Sequence, residues 1–162
     1  MKLFYRKADI LRGAIIYSSG DTIASLLLNE FSIYRMLGIA FVGATYYAFE
    51  IPNYFVWIDK KISHGKRFVD TLKRAALAII YFNPIWIARH LLFIKFFSGN
   101  ISQIGFNIIV VGLYSFLANI PISFTANYLI QNKVSAKRRF IASATFSAIM
   151  AIYYAASEVL FK

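Results

Sequence analysis

The sequence predicts an all-α fold: a polytopic transmembrane helix bundle of five spans, with the N-terminus inside and the C-terminus outside. Three observations predict it. Of 162 residues, 59% are hydrophobic and 18% aromatic, more apolar surface than a domain of this length can hide from water. The apolar residues gather in five stretches of about 20 residues, the length a helix needs to cross a bilayer. The 18 Lys and Arg outnumber the 7 Asp and Glu and cluster in the gaps between those stretches. The whole chain, residues 1–162, reads as a single transmembrane domain.

The expected spans are 10–28, 33–58, 75–97, 104–130 and 140–161. The first follows a basic start and resembles a signal peptide, but Asp21 interrupts its apolar run and no Ala-x-Ala site follows, so it reads as a retained span. The fifth is rich in Ala and Ser, which allow helices to approach closely. Gly38, Gly43, Gly105 and Gly112 mark further close contacts in spans two and four. Tyr5, Tyr54, Trp57 and Tyr128 fall near expected interfaces, as an aromatic belt would place them.

Charge sets the orientation. Lys2, Arg6, Lys7 and Arg12 precede span one. Lys60, Lys61, Lys66, Arg67, Lys73 and Arg74 lie between spans two and three, and Lys133, Lys137, Arg138 and Arg139 between spans four and five. These are 14 of the 18 basic residues, all on one side. The opposite side holds Arg35, Lys95 and Lys162, and Arg89 stays inside a span. The positive-inside rule then puts the N-terminus in the cytoplasm or its organellar equivalent. The outer loops, 29–32 and 98–103, are too short to carry a domain.

Several classes fall away. Basic residues that cluster between apolar spans do not form the solvated face of a nucleic-acid binder. With no Cys and two His, neither thiol chemistry nor a metal centre is expected, and no cofactor motif is present. No nucleophile elbow, HExxH or Walker motif occurs, so the chain is not expected to be an enzyme.

Polar residues inside spans are costly to hold there and therefore informative. Asp21 lies near the middle of span one; Arg89 and His90 lie past the middle of span three. Asp21 and Arg89 come out at similar depths, so an Asp21–Arg89 ion pair is expected, either gating or simply locking helices. Glu50 falls at a depth like that of Asn83 and Asn119, each near Pro52, Pro84 or Pro121. Breaks at those prolines would free carbonyls for a polar ligand, although simple kinks are the plainer alternative. Tyr47 and Tyr114 lie deep enough to line a path.

Two stretches echo each other: Tyr47-Ala48-Phe49, Ile51-Pro52 and Lys61-Ile62-Ser63 against Tyr114-Ser115-Phe116, Ile120-Pro121 and Lys133-Val134-Ser135. Asp9-Ile10-Leu11 is matched by Asp70-Thr71-Leu72. A two-span parallel repeat would produce these echoes, and so would chance in helices rich in Ile and Phe.

At Gly20-Asp21-Thr22-Ile23-Ala24, followed by Arg35-Met36 and Gly38, with Pro84, Pro121, Asn127-Tyr128, Arg139 and Tyr153, the sequence resembles the Mpv/PMP family of small peroxisomal and mitochondrial inner-membrane proteins. Ser25 stands where that family has Gln. The resemblance implies a pore-like, solute-permeation role with Asp21 its best-matched polar residue. The run Leu77 to Ala88, with Asn83-Pro84 at its centre, is similar to a span of bacterial L-alanine exporters, as are Ala8-Asp9 and Arg35, Leu37 and Ile39. That likeness implies export of a small solute.

The function expected is a small transporter or channel for a small molecule or ion, with binding in the bundle core around Glu50, Asn83 and Asn119. Its setting would be a bacterial inner membrane or an organellar membrane, and its small size implies a homo-oligomer. The alternative is a non-catalytic scaffold whose basic inner loops hold anionic lipid headgroups or a protein partner.

Overall fold

The computed structural model describes residues 3–62 and 67–160. Lys2, Ser63, His64, Lys66, Phe161 and Lys162, which entered the sequence reading, lie outside the described residues. Among those described, every regular element is helical.

Helix α1 is Lys7–Leu27, with Asp9 in its first turn, where a carboxylate complements the helix dipole. Its buried residues, Asp9, Gly13, Tyr17, Gly20, Asp21, Ala24 and Ser25, recur at helical spacing and form one face. It closes with Asn29 in the left-handed region (φ 56°) and Glu30 N–H donating to Ser25 O at 2.8 Å, a Schellman-type end. Ser32 then caps α2 (Ile33–Val42) by accepting from Arg35 N–H. A π turn, Gly43–Tyr47, leads into α3 (Ala48–Lys61), which holds Pro52. Span two, expected at 33–58, is thus helical throughout but changes its winding midway.

The third expected span is built differently. Its helix begins at Phe68, before the expected 75, and stops at Tyr81 (α4); a second helix, α5, runs Pro84–Phe97. Pro84 has no N–H and drives the residue before it out of the helical region, and Asn83 is extended (φ −71°, ψ 175°). α5 ends like α1: Gly99 is left-handed (φ 75°) and Asn100 N–H donates to Lys95 O at 2.9 Å. After a short 3-10 turn, Ile101–Gln103, helix α6 (Asn107–Lys133) continues unbroken through Pro121. α7 is Arg139–Leu160. Of the three prolines expected to interrupt helices, only Pro84 does so.

The chain divides into two compact units. The central unit is Pro52–Arg139; the terminal unit joins Lys2–Ile51 with Phe140–Lys162. In the terminal unit, α1 and the π turn meet backbone to backbone: a Cβ on Gly13 would overlap Gly43 O, and one on Gly43 would overlap Gly13 O. Gly20 packs on Ala148 of α7 in the same way. In the central unit, a Cβ on Gly112 of α6 would sit 2.7 Å from Pro84 O at the head of α5. Gly43 and Gly112 are therefore the close contacts expected of them; Gly105 lies just outside α6, beside the Asn107 side chain.

Among the described residues, two helical stretches are long and apolar enough to cross a membrane, Phe68–Phe97 and Asn107–Lys133; Arg139–Tyr153 is a shorter apolar helix. Much of the outward surface is apolar, including Phe41, Phe106 and Tyr114.

Candidate functional site

In the terminal unit, the buried face of α1 delivers Asp21 to the first turn of α2. Arg35 Nε donates to Asp21 Oδ2 at 2.8 Å and its Nη2 to Oδ1 at 2.7 Å, with both side chains almost fully buried. Glu30, at the surface, lies 3.6 Å from the same guanidinium. The two-point geometry matches the arginine fork to the carboxylate and offsets the desolvation of both charges. This corrects the sequence reading, in which Asp21 was matched with Arg89 by depth and Arg35 was an outer-loop charge. The short 28–32 turn sets α2 directly beside α1, and the long arginine side chain reaches back along it.

Beside the pair, Ser25 is buried and its hydroxyl donates to Thr22 O at 2.9 Å. One turn toward the start of α1, Tyr17 packs on Tyr47 of the π turn, ring centroids 4.6 Å apart. Tyr47 is fully buried, so it belongs to the packed core of the unit. Glu50 is half-buried in α3 and also falls in the terminal unit.

In the central unit, Asn83 caps α5: its Oδ1 accepts from Trp86 N–H at 3.0 Å. Asn119 turns its Nδ2 onto Ser115 O of its own helix at 3.0 Å. The antiparallel register of α6 places Gly112 against Pro84 and Ala88, and Asn132 against Thr71. Asn119 therefore falls near the level of the α4–α5 break, which Asn83 borders, while Glu50 belongs to the other unit. Tyr114 is 68% exposed and points outward. Arg89 and His90 are half-buried on α5, and the His90 ring lies nearly parallel to Trp86, with centroids 5.8 Å apart and planes 13° apart.

That stack ends a ladder of rings. Trp57 and Tyr54 stand 5.2 Å apart, Tyr54 and Tyr81 4.6 Å, Tyr81 and Phe82 5.0 Å, and Phe82 and Trp86 5.0 Å. The ladder crosses the break between α4 and α5, where Tyr54 also donates its hydroxyl to Leu77 O at 2.8 Å. Every ring in it is half-buried.

The basic residues that the sequence reading assigns to the inner loops of the central unit are of two kinds. Arg139 is buried, with Nη1 donating to both Asp59 oxygens at 2.7 and 2.8 Å and Nε to Val134 O at 3.1 Å. Arg74 is buried as well, with Nε and Nη2 on Asn132 Oδ1 at 3.0 and 2.7 Å. Asn132 in turn donates to Thr71 O and Tyr128 O. Around them, Lys60, Lys61, Arg67, Lys73, Lys133, Lys137 and Arg138 are exposed. Reading all of these residues as topology labels missed Arg74 and Arg139, which tie helices together. The available signal was an acidic or amide residue at each facing helix end, Asp59 and Asn132.

Among the described residues, no three His, Asp or Glu gather as a metal site. No family model matches the chain, and neither a curated protein nor a solved structure matches it. The likenesses to the Mpv/PMP family and to the L-alanine exporters rest on the residues quoted for them.

Proposed function

We propose that the chain is an integral membrane protein of five spans that passes a small solute across the bilayer, as a transporter or channel and as a homo-oligomer. One observation carries this reading: the 30-residue apolar stretch Phe68–Phe97 is interrupted at its centre, at Phe82 and Asn83. A helix ending within the bilayer leaves last-turn carbonyls without intrahelical donors, and the next helix presents the positive end of its dipole. Such irregular backbone is tolerated at membrane depth where protein covers it or a hydrated cavity meets it, and broken helices of this kind form binding sites in many transporters. Asn119 on α6, near the level of the break, adds a polar side chain to that region. Exposed Leu and Ile along both apolar stretches suit contact with lipid chains.

The test is flux. Purified protein in proteoliposomes should pass a small amino acid or ion, and a double variant Asn83→Leu and Pro84→Ala, which lets α4 run into α5, should lose that flux while keeping its helical content. Absence of flux for every solute in the wild type sinks the reading. It would favour the alternative, a scaffold held to anionic headgroups by exposed cations of the central unit, seven among the described residues, each attracting such a surface by about 1 kcal/mol.

A further inference from the structure

Helix α6 carries two buried carboxamides one turn apart, Asn127 and Gln131, on a single face. Gln131 is completely buried, and among the described residues neither its Oε1 nor its Nε2 has a hydrogen-bond partner. Asn127 is 3% exposed; its Nδ2 donates to Ser123 O at 2.9 Å, while its Oδ1 is unpartnered. Two acceptors and a donor group are thus collected at one place, where each unsatisfied group carries the full penalty of its lost hydration. The neighbouring polar groups do not meet this demand. Asn132, the next residue, is taken by Arg74, Thr71 O and Tyr128 O, and Arg139 by Asp59 and Val134 O.

We infer that Asn127 and Gln131 form a polar niche that binds water, reached from the end of the central unit where α6 closes at Lys133. The chemistry favours water over an ion. The free groups are neutral, and the guanidiniums of Arg74 and Arg139 bond to the adjacent Asn132 and Val134, a setting that disfavours a cation. A single side chain with a free donor, set against two free acceptors, makes a poor anion cradle and a good match to a molecule that donates twice and accepts once. Buried waters typically make about three hydrogen bonds to groups of this kind. The niche does not depend on transport: a scaffold could hold it too.

The absence of cysteine makes the test clean. Single variants Asn127→Cys, Gln131→Cys and, as control, Ile130→Cys are placed in membrane vesicles and treated with the charged reagent 2-aminoethyl methanethiosulfonate. That reagent reacts with the thiolate, a form that requires hydration. The two niche positions should react, more slowly than exposed Lys137→Cys but measurably, while Ile130→Cys, also buried but with an apolar side chain in place of a carboxamide, stays protected. Protection of both niche positions overturns the inference, and so does equal reaction at Ile130→Cys, which would mean local unfolding. Gln131→Leu gives an independent reading in unmodified membranes or detergent. A melting temperature unchanged or lowered supports a hydrated glutamine, whereas a raised one shows an orphaned amide and overturns the niche.

Discussion

Asp21 and Arg35 form a buried two-point clamp between α1 and α2, at 2.8 and 2.7 Å, with Glu30 within 3.6 Å of the same guanidinium at the surface. Removing one partner strands the other charge, which costs about 3–5 kcal/mol, whereas replacing both with apolar residues of similar volume is often neutral or better. Asp21→Asn and Arg35→Met should each lower the unfolding free energy in detergent, and the double variant Asp21→Leu with Arg35→Met should recover most of the loss. Additive losses in the double variant would show that the two residues act separately.

Backbone contact between α1 and the π turn leaves no room for a methyl group at Gly13 or Gly43. Gly43→Ala should destabilise by at least about 1–3 kcal/mol, the usual cost of overfilling a packed site. Gly99→Ala, at a position with open space, should be milder and limited to the strain of its left-handed backbone. Thermal unfolding followed by circular dichroism separates the two.

Asn83 and Asn119 have equal standing in the sequence but unequal structural roles. Asn83→Ala removes the cap of α5 and should cost about 1 kcal/mol. Asn119→Ala removes a bond to a carbonyl of its own helix and should cost about 0.5 kcal/mol or less, since alanine is the better helix former. Equal losses in chemical denaturation would contradict this ranking.

Arg139→Gln withdraws three hydrogen bonds, two from Asp59 and one from Val134 O. Loss of a charge-assisted contact at a mostly buried carboxylate should cost about 1–3 kcal/mol. Lys137→Gln and Arg138→Gln, at exposed positions, should stay within about 0.5 kcal/mol of wild type. A double-mutant cycle of Arg139→Gln with Asp59→Asn measures the coupling directly.

The sequence carried the helices further than the site. Apolar stretches and short polar gaps located α1, α6 and α7 to within a few residues, because burial or lipid contact demands that pattern wherever a helix runs. The π turn at Gly43–Tyr47 left no such trace, since its residues continue the apolar pattern and one widened turn changes no periodicity. Pro52, Pro84 and Pro121 look alike in isolation. Only Pro84 is preceded by a residue, Asn83, whose side chain can replace the helix with a cap, while Pro121 remains within α6. Partner choice was the least legible. Counting residues compares depths along helices, but Asp21 meets Arg35 because of a five-residue turn whose geometry the count ignores.

The near-parallel stack of Trp86 and His90 gives the chain its own optical gauge. Only two tryptophans are present, and Trp57 sits under the Lys61 ammonium at the other end of the ring ladder. Indole emission is sensitive to the ring packed against it, so Trp57→Phe isolates a fluorophore placed three residues past the α4–α5 break. Its intensity then records movement at the interruption itself, without any label added to the protein.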